Sequence, residues 1–403
     1  MSVIVHIQIS GRDRPNAVGD LITILARHAV PVLDLNQRMA CGTLSLGVLA
    51  ALPEAPDRCP TFKELEARAM DLELTIHPHV IPANAYRTWV AEQRASRHVL
   101  TLLGREVGAK PIAEAAGLAA ALGLRITGMT RLSAPREGDA EGSACFEMDL
   151  HGPTPDASAL HDALPRLAEE MGLDLVLQED DAFRRHRRLI CFDMDSTLIQ
   201  AEVIDELAAE VGIEAQVAAI TESAMRGEID FPESFRRRMA LLKGLDESVL
   251  TRVAERLPIT EGAARLIANL KARGYKTAIL SGGFTYFAQC LSKRLGGIDY
   301  IHANTLDFRD GRLTGEVSGE IVDGPRKAVL LREIAAREGL VPEQVIAVGD
   351  GANDLPMLAA AGLGIAFHAK PIVRKKARYA LNHVGLDGVL RLLGLRDREL
   401  TPG

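Results

Sequence analysis

Short alternating apolar runs and helical periodicities follow one another along this chain, and the points where a run gives way to a polar cluster carry most of the information. Val3-Ile4-Val5-His6-Ile7-Gln8-Ile9 has the two-residue period of a strand, and Val18, Leu21, Ile22 and Leu25 then share one face of a helix before the strand-like Val32-Leu33-Asp34-Leu35. Thr43 to Leu49 continues as a strand and Phe62 to Met70 as a helix. The order recurs downstream, with His98 to Leu103, Gly104, a helix from Pro111 to Leu122, Leu124-Arg125-Ile126, Ala144 to Leu150, and a helix from Ala157 to Met171. Two βαββαβ units of the ferredoxin-like α+β kind are therefore expected.

Beyond residue 188 the pattern changes. Leu189-Ile190-Cys191-Phe192 ends in Asp193-Met194-Asp195-Ser196-Thr197, Lys276-Thr277-Ala278-Ile279-Leu280 ends in Ser281-Gly282-Gly283, and Val345-Ile346-Ala347-Val348 ends in Gly349-Asp350-Gly351-Ala352-Asn353-Asp354. Such runs are too short for helices and read as buried strands of an α/β sheet, which binds ligands beyond the carboxyl ends of its strands. Between 202 and 257 the pattern is helical, with Val203, Leu207 and Val211 at four-residue steps, and predicts a small helical cap.

Each cluster alone has a plain reading. Asp-x-Asp after a strand is usually a turn or a helix cap, Ser-Gly-Gly a tight turn, Lys327 a solvated helix position, and Gly349-Asp350 a helix start favoured by the dipole. Together they equip a site for phosphoryl transfer. Asp193 can attack phosphorus, but a carboxylate approaching a phosphate dianion is opposed by charge, so a divalent cation and a lysine must neutralise the pair. Asp350 and Lys327 can supply these. Asp195, on the same side of an extended segment, can protonate the leaving alkoxide and later take a proton from water. Ser281 and the bare backbone at Gly282 can approach phosphate oxygens.

With these motifs in this order, the chain from about 188 to 395 resembles the haloacid dehalogenase-like phosphatases. The resemblance implies a Rossmann-like core with Asp193 as nucleophile, Asp195 as general acid and base, Ser281 and Gly282 on the phosphate, and Lys327 neutralising charge. It also implies Mg²⁺ held by Asp193, the backbone carbonyl of Asp195 and Asp350, with Asp354 supporting them and Asn353 near the phosphate. The run Asp193 to Leu198, Glu202 shortly after it, and the segment Ala224 to Arg238 with Phe231 and three successive arginines resemble the phosphoserine phosphatase family within that group. By that likeness Glu202 meets the substrate ammonium, Arg238 its carboxylate, and Met225 and Phe231 close the cap; an acid and a forked guanidinium suit an amino acid. Arg236 and Arg237 read as a solvated face. The implied activity is hydrolysis of O-phospho-L-serine, the last step of serine biosynthesis. The rivals are a relative acting on another small phosphate or passing it to an alcohol such as homoserine, and an amino-acid sensor with an inactive core.

The first half resembles two ACT domains, which are amino-acid-sensing modules. Gly11-Arg12-Asp13-Arg14-Pro15 matches the family's turn in the first copy, whereas Gly104-Arg105-Glu106-Val107 departs from it in the second. Gly11 and Asp13 are thus the expected site for L-serine as regulator, and pairing of sheet edges makes a homodimer the expected assembly. The expected division is 1–92 and 93–181 for the ACT-like domains and 182–403 for the phosphatase.

Composition narrows the setting. The 403 residues are 47% apolar, enough for several cores, and a net charge of −7 gives no general attraction to nucleic acid or anionic membrane. Five cysteines lack metal-like spacing and suit a reducing compartment. The apolar start is short and without a basic region, so no signal peptide is expected, and no run is long enough to span a bilayer. A cytoplasmic enzyme is the expectation. Arg184-Arg185-His186-Arg187-Arg188 reads as a solvated linker and His77-Pro78-His79 as a surface loop.

Overall fold

The alternation at the start of the chain builds the first of four-stranded sheets. In the computed structural model, which describes residues 2–93, 96–134, 143–226 and 228–401 apart from the side chains of 157–159, 161, 162, 225 and 317, the chain divides into two units, Met1–Ala95 and Ser96–Gly403. The first contains β1 (Val3–Arg12), α1 (Ala17–Arg27), β2 (Val32–Ala40), β3 (Thr43–Leu52), α2 (Pro60–Asp71), β4 (Leu74–Val80) and α3 (Ala83–Glu92). Its antiparallel sheet has the order β2-β3-β1-β4. Val5, Ile7, Ile9, Leu44, Leu46 and Val48 form a core with Leu21, Ile24, Phe62 and Leu65 of α1 and α2.

Two expectations fail here. His77-Pro78-His79 is no loop; it lies in β4, with Gln8 opposite His77 and His6 opposite His79. Pro78 is tolerated because β4 is an edge strand, where an absent N–H costs little. Gly11 lies inside β1, opposite Leu44 and Leu74, not in a strand-to-helix turn. A Cβ there would come within 2.8 Å of Leu74 Cδ2 and 3.0 Å of the Glu73 carbonyl, so close strand approach requires the glycine.

The second unit opens with β5 (Arg97–Gly104), α4 (Ala109–Ala121), β6 (Arg125–Arg131), β7 (Ala144–His151), α5 (Ala157–Met171) and β8 (Asp174–Glu179), whose sheet β6-β7-β5-β8 repeats the first topology. One face packs on its own helices through Leu100, Leu102, Ala115, Ala119 and Leu177. The other contributes Leu103, Cys145 and Val176 to one core with Ile190, Leu381, Val389 and Leu392 of the following layer. Polar ties reinforce this seam. The Asp174 carboxylate accepts hydrogen bonds from the backbone N–H groups of Asn382 (2.6 Å) and His383 (3.0 Å), and Gln178 Nε2 donates to the Leu392 carbonyl at 3.0 Å.

The basic stretch before β9 is only in part the expected solvated linker; Arg185 and His186 are exposed as expected, but Arg184 and Arg187 are buried at the seam. Arg184 is 3% exposed and paired with Glu147, and Arg187 is 6% exposed and donates to the Arg184 carbonyl at 2.8 Å. Burial of these guanidiniums is tolerable because an acid and backbone oxygens receive them.

The rest comprises β9 (Leu189–Phe192), α6 (Val203–Glu210), α7 (Glu214–Met225), α8 (Phe231–Leu241), α9 (Ser248–Arg256), α10 (Ala263–Ala272), β10 (Lys276–Phe284), α11 (Thr285–Arg294), β11 (Tyr300–Arg309), β12 (Arg312–Ser318), α12 (Gly324–Arg337), β13 (Val345–Gly349), α13 (Leu355–Ala360), β14 (Leu363–Phe367), α14 (Pro371–Lys376), β15 (Tyr379–Leu381) and α15 (Gly388–Leu392). The sheet order is β12-β11-β10-β9-β13-β14-β15. β9 thus lies between strands reached in opposite directions, which opens a crevice at its carboxyl end. Helices α6 to α9 occupy the span expected for a cap. Among the described residues no helix is long and apolar enough to cross a membrane.

Candidate active site

Register brings the motifs together. Phe192 pairs with Ile279 of β10 on one side and Val348 of β13 on the other, so Asp193, Ser281 and Asp350 emerge close together just beyond the last residues that β9 pairs with its two neighbours. Asp193 N donates to the Val348 carbonyl at 2.9 Å, fixing the nucleophile candidate at the sheet's rim. Its Oδ1 accepts from Met194 N at 2.7 Å and its Oδ2 lies 2.8 Å from Lys327 Nζ.

Lys327 projects from α12 and is fully buried, its ammonium also donating to Asp354 Oδ1 at 2.7 Å. Burial alone would lower its pKa, but the charges of Asp193 and Asp354 outweigh that and raise it, so Lys327 stays cationic. Asp354 Oδ2 accepts from Gly351 N at 2.9 Å. With both oxygens engaged, Asp354 braces Lys327 and the loop carrying Asp350. Asp350 Oδ1 accepts from Thr197 Oγ1 at 3.3 Å, and its pKa is pushed up to about 7 by burial and by the charges of Asp354 and Glu202.

Asp193, Asp350 and Asp354 can each place an oxygen within 4.8 Å of the others. One ammonium against these carboxylates leaves negative charge uncompensated, and burial followed by the Asp354 charge raises the Asp193 pKa as well. An all-oxygen donor set with surplus negative charge fits a hard divalent cation.

Asp195 lies against the Ser281–Gly283 segment, since a Cβ on Gly283 would come 2.6 Å from its Oδ2 and 3.1 Å from Ser281 Oγ. Burial, then the charges of Glu202 and Asp193, raise its pKa, which favours a carboxyl able to give up a proton. Ser281 is fully buried and its Oγ accepts from Gly283 N at 2.9 Å. Asn304 Nδ2 donates to the Gly282 carbonyl at 2.8 Å while its Oδ1 accepts from Val322 N at 2.9 Å, tying that segment to the approach of α12. Asn353 lies half-buried beside them, with its backbone carbonyl against Gly324 at the start of α12.

The cap supplies the other wall. Phe231 stacks on Phe235 at 5.9 Å between ring centroids, and a Cβ on Gly282 would come 3.0 Å from the Phe231 ring, so that phenyl lies over the Ser281–Gly283 segment. Glu202 is exposed and its Oε1 accepts from Ser196 Oγ at 2.8 Å. Arg238 is half-buried. Its Nε is buried without a partner, and among the described residues it forms no ion pair, although the charges of Asp205, Glu202 and Asp195 act on it. Met225 ends α7, and its side chain lies outside the described residues. Gly11 and Asp13 belong to the other unit.

Residues 187–362 match the model of the haloacid dehalogenase-like hydrolases, and residues 3–79 match that of the ACT domain. Phosphoserine phosphatase SerB2 of Mycobacterium tuberculosis is 39% identical over 99% of this chain and 95% of its own length. A phosphoserine phosphatase of Streptomyces coelicolor is 40% identical over 98% of this chain and 93% of its own. The chain belongs to the phosphoserine phosphatases of the haloacid dehalogenase-like hydrolases. Among solved structures of this superfamily, a HAD family hydrolase from Salmonella enterica serovar Typhi covers 73% of the chain and 98% of its own at a TM-score of 0.62 and 33% identity.

For a phosphoserine phosphatase, sequence reasoning named the acids and the lysine but missed Thr197, Asn304 and Ser196, which hold other groups in place. Thr197 stands inside the first motif and could have been flagged by it. Asn304, a single amide near the middle of β11, leaves no comparable signal.

Proposed function

We propose that the chain hydrolyses O-phospho-L-serine to L-serine and phosphate by way of a phosphoryl-Asp193 intermediate. Arg238 carries this reading. A half-buried guanidinium with an unpartnered Nε is costly unless a ligand completes it, and a carboxylate is the anion its fork fits. Glu202 offers the opposite charge for an ammonium, so the pair recognises an amino acid whose phosphate rests on Ser281 and Gly282. Phe231 shuts out water above them.

In the first step Asp193 attacks phosphorus while Lys327 offsets the gathering negative charge, and Asp195 gives its proton to the seryl oxygen as it leaves. In the second, Asp195 takes a proton from the water that attacks the phosphoryl group, and Asp193 is released. Asp193, the backbone carbonyl of Asp195 and Asp350 would hold Mg²⁺, which supplies further neutralisation of the phosphate, with Asp354 bracing the set and Asn353 near the phosphate.

The proposal extends to the whole chain. It comprises two ACT-like domains at 1–92 and 93–181 and a phosphatase at 182–403, acts in the cytoplasm as a homodimer, and is regulated by L-serine through Gly11 and Asp13. Phosphate release from phosphoserine, phosphothreonine and nitrophenyl phosphate, with and without Mg²⁺ and homoserine, tests the activity. Fast Mg²⁺-dependent release favouring phosphoserine is expected. Equal rates on all three, or transfer to homoserine, would contradict it.

A further inference from the structure

Resting on the phosphoserine reading above, we infer that Ser196 is a positioning residue for substrate selection: its hydroxyl fixes the Glu202 carboxylate where the ammonium must bind. Two independent features support this. First, Ser196 Oγ donates to Glu202 Oε1 at 2.8 Å, and no other side-chain hydrogen bond or ion pair of Glu202 occurs among the described residues. Glu202 is exposed at the N-cap of α6, so without that bond its three side-chain torsions would leave the carboxylate free in water. Second, Ser196 has φ of +56°, a left-handed conformation that glycine adopts freely and other residues rarely do. A serine at this position keeps a hydroxyl that glycine would forfeit.

The same loop joins selection to chemistry. Ser196 N donates to the Ala201 carbonyl at 3.2 Å, closing the turn, and Val203 N donates to Asp195 Oδ1 at 3.4 Å. Asp195, which handles the proton, and Glu202, which meets the ammonium, are thus held by one short segment with Ser196 at its bend. An ammonium docked on Glu202 binds a carboxylate already oriented, which reduces the ordering cost of binding.

The test is discrimination for the amine, read as the ratio of kcat/KM on phosphoserine to that on 3-phosphooxypropanoate, which lacks only the ammonium. Ser196→Ala, Ser196→Gly, Glu202→Gln and the Ser196→Ala/Glu202→Gln double variant are compared in the full chain. Ser196→Ala should lower the ratio about 10-fold, the scale of one charge-assisted hydrogen bond. Ser196→Gly should lower it equally while melting no lower than wild type, because glycine relieves the backbone. The double variant should fall no further than Glu202→Gln, since Ser196 acts through Glu202. If Glu202→Gln lowers the ratio and either Ser196 variant retains it, the positioning role is wrong although the phosphoserine reading stands. If Glu202→Gln itself leaves the ratio unchanged, Glu202 does not meet the ammonium, and both fall.

Discussion

Removing Arg238 should separate recognition from stability. The guanidinium is half-buried, its Nε has no partner, and burial is the largest influence on its pKa, which it lowers. In the free enzyme the charges of Asp205, Glu202 and Asp195 offset only part of its desolvation and no ion pair among the described residues completes it, so Arg238→Ala takes away a desolvation cost along with some packing. The melting temperature should stay level or rise. With phosphoserine bound, the same group meets a desolvated carboxylate, and losing such a contact typically costs about 2 to 5 kcal/mol, or roughly 30- to several-thousand-fold in kcat/KM. Nitrophenyl phosphate has no carboxylate to lose, so its kcat/KM should change far less. Arg238→Lys should fall between, keeping charge without the two-pronged geometry. Steady-state kinetics on both substrates, beside thermal melts, decide the matter. Equal losses on the two, or a melt that drops with activity, would mean that Arg238 holds the cap together and does not recognise substrate.

Two further outcomes concern the N-terminal half. Residues 96–403 should fold and turn over phosphoserine, whereas 182–403 should unfold at much lower urea, because the cut strips Leu103, Cys145 and Val176 from the common core and leaves the N–H groups of Asn382 and His383 without Asp174; matching urea midpoints would refute this. L-serine should inhibit the full chain more strongly than 96–403 and than Gly11→Val, whose side chain would press on Leu74 and the Glu73 carbonyl; equal inhibition of all three would leave only product binding at the active site.

The motif acids were legible because Asp193 and Asp350 follow directly on the wholly buried runs of β9 and β13, and clusters that each have a plain reading alone occur together in the order a phosphoryl-transfer site needs. Lys327 was different. Nothing local marks it among the basic residues of α12; the need for a neutralising lysine and the resemblance pointed to it, and the structure places its ammonium between Asp193 and Asp354. The burial of Arg184 was invisible because its partner, Glu147, lies on β7, distant in sequence, and a run of five basic side chains normally faces water. His77-Pro78-His79 misled for a related reason: proline argues against a strand unless the strand is known to be an edge, and sheet order is a tertiary fact. The bend at Ser196 was hidden too, since a serine gives no sign of a positive φ.

Turnover by this chain requires Asp193 to carry the phosphoryl group covalently. Enzyme mixed with phosphoserine, quenched in acid within milliseconds and digested, should yield by mass spectrometry a phosphorylated peptide with the phosphate on Asp193, and Asp193→Asn should show neither that adduct nor turnover. Robust phosphate release by Asp193→Asn, or an adduct on a different residue, would contradict it.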